Sequence, residues 1–131
     1  MIGSSPLGHW SKTQSSVALS SGEAELNAAV KGVSEAVGFW NLAKELFGQE
    51  LQIHLKVDSS ACRGMILRHG AGRVKHLSTK QLWIQEATKS YGINVDKVRR
   101  DDNIADALTH EVPAHLMHCL VESMSCRIQC A

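Results

Sequence analysis

Between Ser20 and Asp58 the spacing of apolar residues changes once, and that change restricts the chain to folds that mix helices with strands. Leu26, Ala29, Val30, Val33, Val37 and Trp40 recur at the roughly 3.6-residue spacing of one helix face. Ahead of them, Ser20-Ser21-Gly22-Glu23 fits a capping box. In that arrangement a serine hydroxyl and a glutamate carboxylate satisfy the free amides of a first helical turn. Gly48 is a suitable stop. Beyond it, Leu51, Ile53, Leu55 and Val57 alternate with Gln52, His54 and Lys56, which is the period of a strand. Asp58 stands at the C-terminal end of that strand.

The remaining segments continue the alternation. Ser59 or Ser60 can cap a short helix through about Arg68, and Gly70 and Gly72 break the chain. Val74, Leu77, Ile84, Ala87 and Tyr91 predict a helix ending at Gly92, and Ile93 to Val98 a strand. Asp102 or Asn103 can cap a helical turn holding Ile104, Asp106 and Leu108. After Pro113, the residues Leu116, Leu120, Met124 and Ile128 suit a last helix. Near the start, His9 to Lys12 and Ser16 to Leu19 read as one extended segment. The order is strand, helix, strand, helix, helix, strand, helix, an α/β pattern.

A chain of 131 residues with 44% hydrophobic composition suits one domain over residues 1–131 with a sizeable core. A net charge of +1 carries no global basic signal, so any nucleic-acid surface must be local. No stretch is long and apolar enough to span a membrane, and Met1 to Trp10 does not read as a signal peptide. The expected location is therefore intracellular, in cytoplasm or nucleus. The four cysteines, Cys62, Cys119, Cys126 and Cys130, lack the short paired spacings of zinc or redox motifs. His115 and His118 join three of them near the C-terminus, where the ordinary reading is a terminal helix with reduced thiols.

Three acids are placed where chemistry would use them. Glu25 lies one turn inside the first long helix, beside small residues (Ala28, Ala29, Gly32, Ala36) that would let the helix approach a sheet. Asp58 ends a strand, where α/β folds place ligand sites. Asp106 lies in the first turn of a late helix. If such acids converge they repel one another unless cations neutralise them. The ordinary readings are a solvated helix acid, a turn residue and an N-terminal helix acid.

At these same residues the chain resembles the ribonuclease H domain of copia-type retrotransposon polyproteins. Trp10-Ser11-Lys12-Thr13-Gln14 with Val17-Ala18-Leu19-Ser20-Ser21-Gly22-Glu23-Ala24-Glu25 is similar to the family's "W-S-S-K-x-Q … V-A-L-S-S-T-E-A-E". Val57-Asp58-Ser59-Ser60-Ala61 resembles "C-D-N-x-S-A", and Val74-Lys75-His76-Leu77 resembles "T-K-H-I". Asn103-Ile104-Ala105-Asp106-Ala107-Leu108-Thr109 resembles "Q-x-A-D-x-L-T-K". The match runs from about residue 6 to 109, with a helical extension over about 113–131.

The resemblance implies a ribonuclease H-like fold, a mixed sheet flanked by helices, and Mg²⁺-dependent hydrolysis of RNA in an RNA–DNA hybrid, with Mn²⁺ as a substitute. It implies metal coordination by Glu25, Asp58 and Asp106. It assigns the basic segment of Arg73, Lys75, His76 and Lys80 to substrate phosphates, and the upstream reverse transcriptase segment as a partner. The sequence also departs from the pattern. The family's first two strands are missing, and no aspartate precedes Asp58, so the first catalytic aspartate has no counterpart. Ser78 stands where the family has an acid, and His110 where it has a lysine. Lys56, on the strand face of Asp58, could compete with a metal for that carboxylate. With two strands absent, the Asp58 strand has an open inner edge, which predicts marginal stability for the chain alone. The alternative to an enzyme is a catalytically dead remnant that at most binds nucleic acid or packs on another domain.

Overall fold

A computed structural model of the chain describes residues 1–2, 5–8, 20–70, 79–99, 102–105, 111 and 113–123, without the side chains of Lys80 and Gln81. Among these residues the fold is mixed α/β. Its elements are α1 (Ser21–Phe47), β1 (His54–Val57), α2 (Ser60–Leu67), α3 (Thr79–Ser90), β2 (Asn94–Lys97) and α4 (Ala114–Ser123). The chain divides into two compact units. One comprises Ser16–Val98, the other Met1–Ser15 with Arg99–Ala131.

The larger unit is organised around α1. Ser20 is extended at φ −152° and ψ 158°, and its hydroxyl accepts the Glu23 N–H at 3.2 Å, which is one half of the expected capping box. After twenty-seven helical residues the chain leaves the helix at Gly48, whose φ of 64° suits a residue without a Cβ and whose N–H closes onto the Lys44 carbonyl. Leu26, Ala29, Val33 and Val37 of the apolar stripe are buried, and Val30 and Trp40 pack against the core from its margin. Trp40 meets Tyr91 edge to face at 5.2 Å, joining α1 to the turn between α3 and β2.

Strands β1 and β2 form a two-stranded parallel sheet, with His54 opposite Asn94 and Val57 opposite Lys97. The expected alternation holds. Ile53 and Val57 are buried, while Gln52, His54 and Lys56 are exposed. Pairing begins only at His54 because β2 itself starts at Asn94, so Leu51 to Ile53 lead into the strand. Among the described residues β1 pairs only with β2. Ile66 from α2, Ile84 and Ala87 from α3, and Ile93 and Val95 around β2 complete the core with the α1 stripe. Each fully buried side chain of this size contributes about 1.5–3 kcal/mol.

Helix α2 is capped by Ser59, whose hydroxyl accepts the Cys62 N–H at 3.2 Å. Its far end is held by Gln85 of α3. The Gln85 amide donates to the carbonyls of Met65 (2.8 Å) and Gly70 (3.1 Å), and its oxygen accepts the Gly70 N–H (2.9 Å). The expected start of α3 at Val74 and the extended segment over His9 to Leu19 lie outside the described residues.

In the smaller unit, Pro113 opens α4 by accepting the N–H groups of Leu116 and Met117 at 3.0 Å. Leu120 is buried, as its place in the expected stripe requires, while Met124 and Ile128 lie outside the described residues. Asn103 caps the turn before it through its side-chain oxygen, which accepts the Ala105 N–H at 3.3 Å. No helix among the described residues is long and apolar enough to cross a membrane.

Candidate active site

Glu25 and Asp58 come together although they are remote in sequence. The cap at Ser20 fixes the phase of α1, which turns Glu25 toward the start of α2. Asp58 follows the last paired residue of β1, so the strand pleat no longer governs it. Ser59 then begins α2 with its side chain and backbone N–H beside the Glu25 carboxyl. Gly22 allows this approach. A Cβ there would meet the Ala61 Cβ at 3.2 Å and the Met65 Cε at 3.3 Å. The expectation that Glu25 turns inward through a row of small neighbours is met only in part, because Ala28 is exposed. The small residue that matters is Gly22, one turn earlier, and in the sequence it had been visible only as a member of the capping box.

The electrostatics follow from that packing. Burial is the largest cause raising the Glu25 pKa above its ordinary value, followed by the negative charge of Asp58 and a hydrogen bond between the two carboxyls. Hydrogen bonds from Ser59 act in the opposite direction. One Glu25 oxygen, Oε2, is buried with no hydrogen-bond partner. Cys62 lies beneath the pair and is completely buried. Loss of solvation, then the charges of Glu25 and Asp58, push its thiol up to about 12. Nothing in the cysteine spacing had singled out Cys62; only the turn of α2 places it here.

Two neighbouring acids, one with an orphaned buried oxygen, are an electrostatically unfinished arrangement that a hard cation or a shared proton completes. Among the described residues no group of three or more His, Cys, Asp or Glu is placed to hold a metal ion, so the pair by itself supplies two carboxylates and not a complete donor set. The third expected ligand, Asp106, lies outside the described residues, as do Arg73, Lys75, His76, Ser78 and His110. Lys80 falls in the first turn of α3, with its side chain outside the description. Lys56 is exposed and forms no ion pair among the described residues, so it does not occupy the acid pair. Of the C-terminal thiols, Cys119 is free and exposed, and Cys126 and Cys130 lie outside the described residues.

The chain is similar to the retrovirus-related Pol polyprotein from transposon TNT 1-94 of Nicotiana tabacum, at 31% identity over 106 residues. Those residues make up 79% of this chain and 8% of that polyprotein, so the chain spans a small part of its relative's length. This similarity supports a relationship to retrotransposon polyproteins. No family model matches the chain, and no solved structure matches it.

Proposed function

We propose that this chain is a ribonuclease H-like nuclease segment of a retrotransposon polyprotein that hydrolyses RNA in RNA–DNA hybrids. The observation that carries the reading is the convergence of Glu25 and Asp58, two of the three acids for which the ribonuclease H resemblance implies a metal role. The parallel pairing of the Asp58 strand with the next strand along the chain, and α1 packed beside it, are in keeping with such a fold.

In this reading Glu25, Asp58 and Asp106 hold Mg²⁺, or Mn²⁺ in its place, through hard carboxylate oxygens. When bound, such ions activate water and stabilise the departing oxygen of a phosphodiester. The chain's own residues prepare the site. Asp58 supplies charge at the strand end, and Ser59 holds the Glu25 carboxyl in place. Burial and the neighbouring charge of Asp58 make Glu25 retain a proton more readily than an ordinary glutamate. Arg73, Lys75, His76 and Lys80 supply contacts to the substrate backbone, as lysine and arginine do for phosphates generally.

The test is cleavage of a labelled RNA–DNA hybrid with Mg²⁺ or Mn²⁺, beside Asp58→Asn. Cleavage that needs the metal and disappears in the variant supports the enzyme. A second reading is a module that binds nucleic acid without turnover. Hybrid binding without cleavage under every metal condition would select it. Restoration of cleavage by an added segment bearing an aspartate would reject it.

A further inference from the structure

Lys97 ends β2 directly opposite Val57, the residue before Asp58. Because the strands are parallel, their carboxyl ends lie together, and Lys97 stands at the same end of the sheet as the acid pair. Its ammonium donates to the Ser60 hydroxyl at 2.7 Å, which holds it on the Asp58–Ser60 side of the sheet. One helical turn along α2 from Ser60 is Arg63. Its Nε donates to the Val95 carbonyl at 3.1 Å, so this guanidinium is also fastened across the seam between α2 and β2.

Both cations are exposed, and both are anchored by neutral oxygens. Among the described residues neither forms an ion pair with a carboxylate, although Glu25 and Asp58 are close by. Asp96 faces away from Lys97, because alternate strand residues point to opposite sides of the sheet, and it pairs with His54 instead. The seam thus presents two positive charges, one fastened at Ser60 and the other carried by Arg63 three residues further along α2. They keep free N–H donors beside a site whose own charge is negative. A polyanion approaching Glu25 and Asp58 needs such compensation at the rim.

We propose that Arg63 and Lys97 are positioning residues that bind phosphates of a nucleic-acid backbone and set it against the Glu25–Asp58 site. The proposal rests on the nuclease reading and adds residues that the sequence motifs do not single out. Each cation that neutralises a phosphate releases condensed counterions, so its removal lowers the dependence of binding on salt by about 0.7–0.9 in the log–log slope.

Binding of an RNA–DNA hybrid is measured from low to moderate salt with a chelator present, so that cleavage plays no part. Lys97→Gln, Arg63→Gln, the double variant and Lys31→Gln are compared with the unmodified chain, and circular dichroism checks that each is folded. The amide introduced by Lys97→Gln can still bond Ser60, and Lys31→Gln removes the same charge from the exposed side of α1. The expected result is a slope lower by about 0.7–0.9 in each single variant, roughly twice that in the double variant, and no change for Lys31→Gln. Equal slopes in all folded variants, or a fall that Lys31→Gln shares, overturn the proposal. Metal-dependent cleavage by the unmodified chain is scored separately. Cleavage with unchanged slopes removes this proposal and leaves the nuclease reading. Lowered slopes without cleavage do the reverse. A chain that binds no hybrid at any salt overturns the proposal outright.

Discussion

Glu25, one turn inside α1, has its carboxyl beside that of Asp58 at the end of β1, while its oxygen Oε2 is buried without a hydrogen-bond partner. Like charges packed this closely destabilise the ionised form of at least one member. The raised Glu25 pKa links folding to pH. The native state holds the Glu25 proton above pH 4.5, where the unfolded chain has begun to lose it. Native protein then binds more protons than unfolded protein, and stability falls as pH rises through the folded value of Glu25. Glu25→Gln keeps a donor for Asp58 and removes the charge. Denaturant titrations at several pH values should show it more stable than the unmodified chain at pH 7, with the gap closing toward pH 4. The same change should abolish hybrid cleavage.

Cys62 extends the same electrostatics to the alkaline side. Its thiol ionises only near about 12, against an ordinary value of 9.0. The neutral thiol is favoured in the fold, so this contribution to stability is complete below pH 9 and is lost as pH rises toward 12. At pH 8 thiol-reactive reagent should modify exposed Cys119 quickly and leave Cys62 unmodified until the protein unfolds. Peptide mapping of a labelling time course reads this directly. Early modification of Cys62 would contradict its burial beneath the acid pair.

Two glycines of α1 should respond in opposite directions to the same substitution. Gly22→Ala places a methyl group 3.2 Å from the Ala61 Cβ and 3.3 Å from the Met65 Cε. The helix backbone carrying Ala61 has to move, with an expected loss of about 1 kcal/mol and weaker joining of α1 to α2. Gly32→Ala meets no atom within 4 Å and lies in the helix interior, so it should add about 0.5–1 kcal/mol. Thermal melts of the two variants give the comparison.

Gln85 provides a fourth test. Its side chain satisfies backbone groups of Met65 and Gly70 through three hydrogen bonds. Gln85→Leu preserves bulk and helix propensity but leaves those groups unpaired. A loss of about 0.5–1.5 kcal/mol is expected, since the Gly70 groups are exposed to water, along with faster amide exchange at Gly70. A variant as stable as the unmodified chain would show that water replaces the amide without cost.

Local chemistry made much of the architecture legible. The Ser20 cap, the apolar stripe from Leu26 to Trp40, the Gly48 stop and the alternation ending at Val57 each act over a few residues, and each appears in the fold where the sequence places it. The ends were less legible. Leu51 to Ile53 have strand periodicity, yet pairing starts at His54, because the length of a strand depends on its neighbour as well as on itself.

What the sequence by itself determined, then, is the elements from α1 to β2 and the positions of Glu25 in the first turns of α1 and of Asp58 at the end of β1. Tertiary structure alone decided that Glu25 meets Asp58, that Gly22 makes room for the meeting, that Cys62 lies beneath it, and that Lys97 and Arg63 are fastened along its rim. Periodicity and caps are set by backbone geometry within a turn or a pleat. Which side chains become neighbours is set by how helices and strands bury their apolar faces against one another, and that information belongs to pairs of segments far apart in the chain.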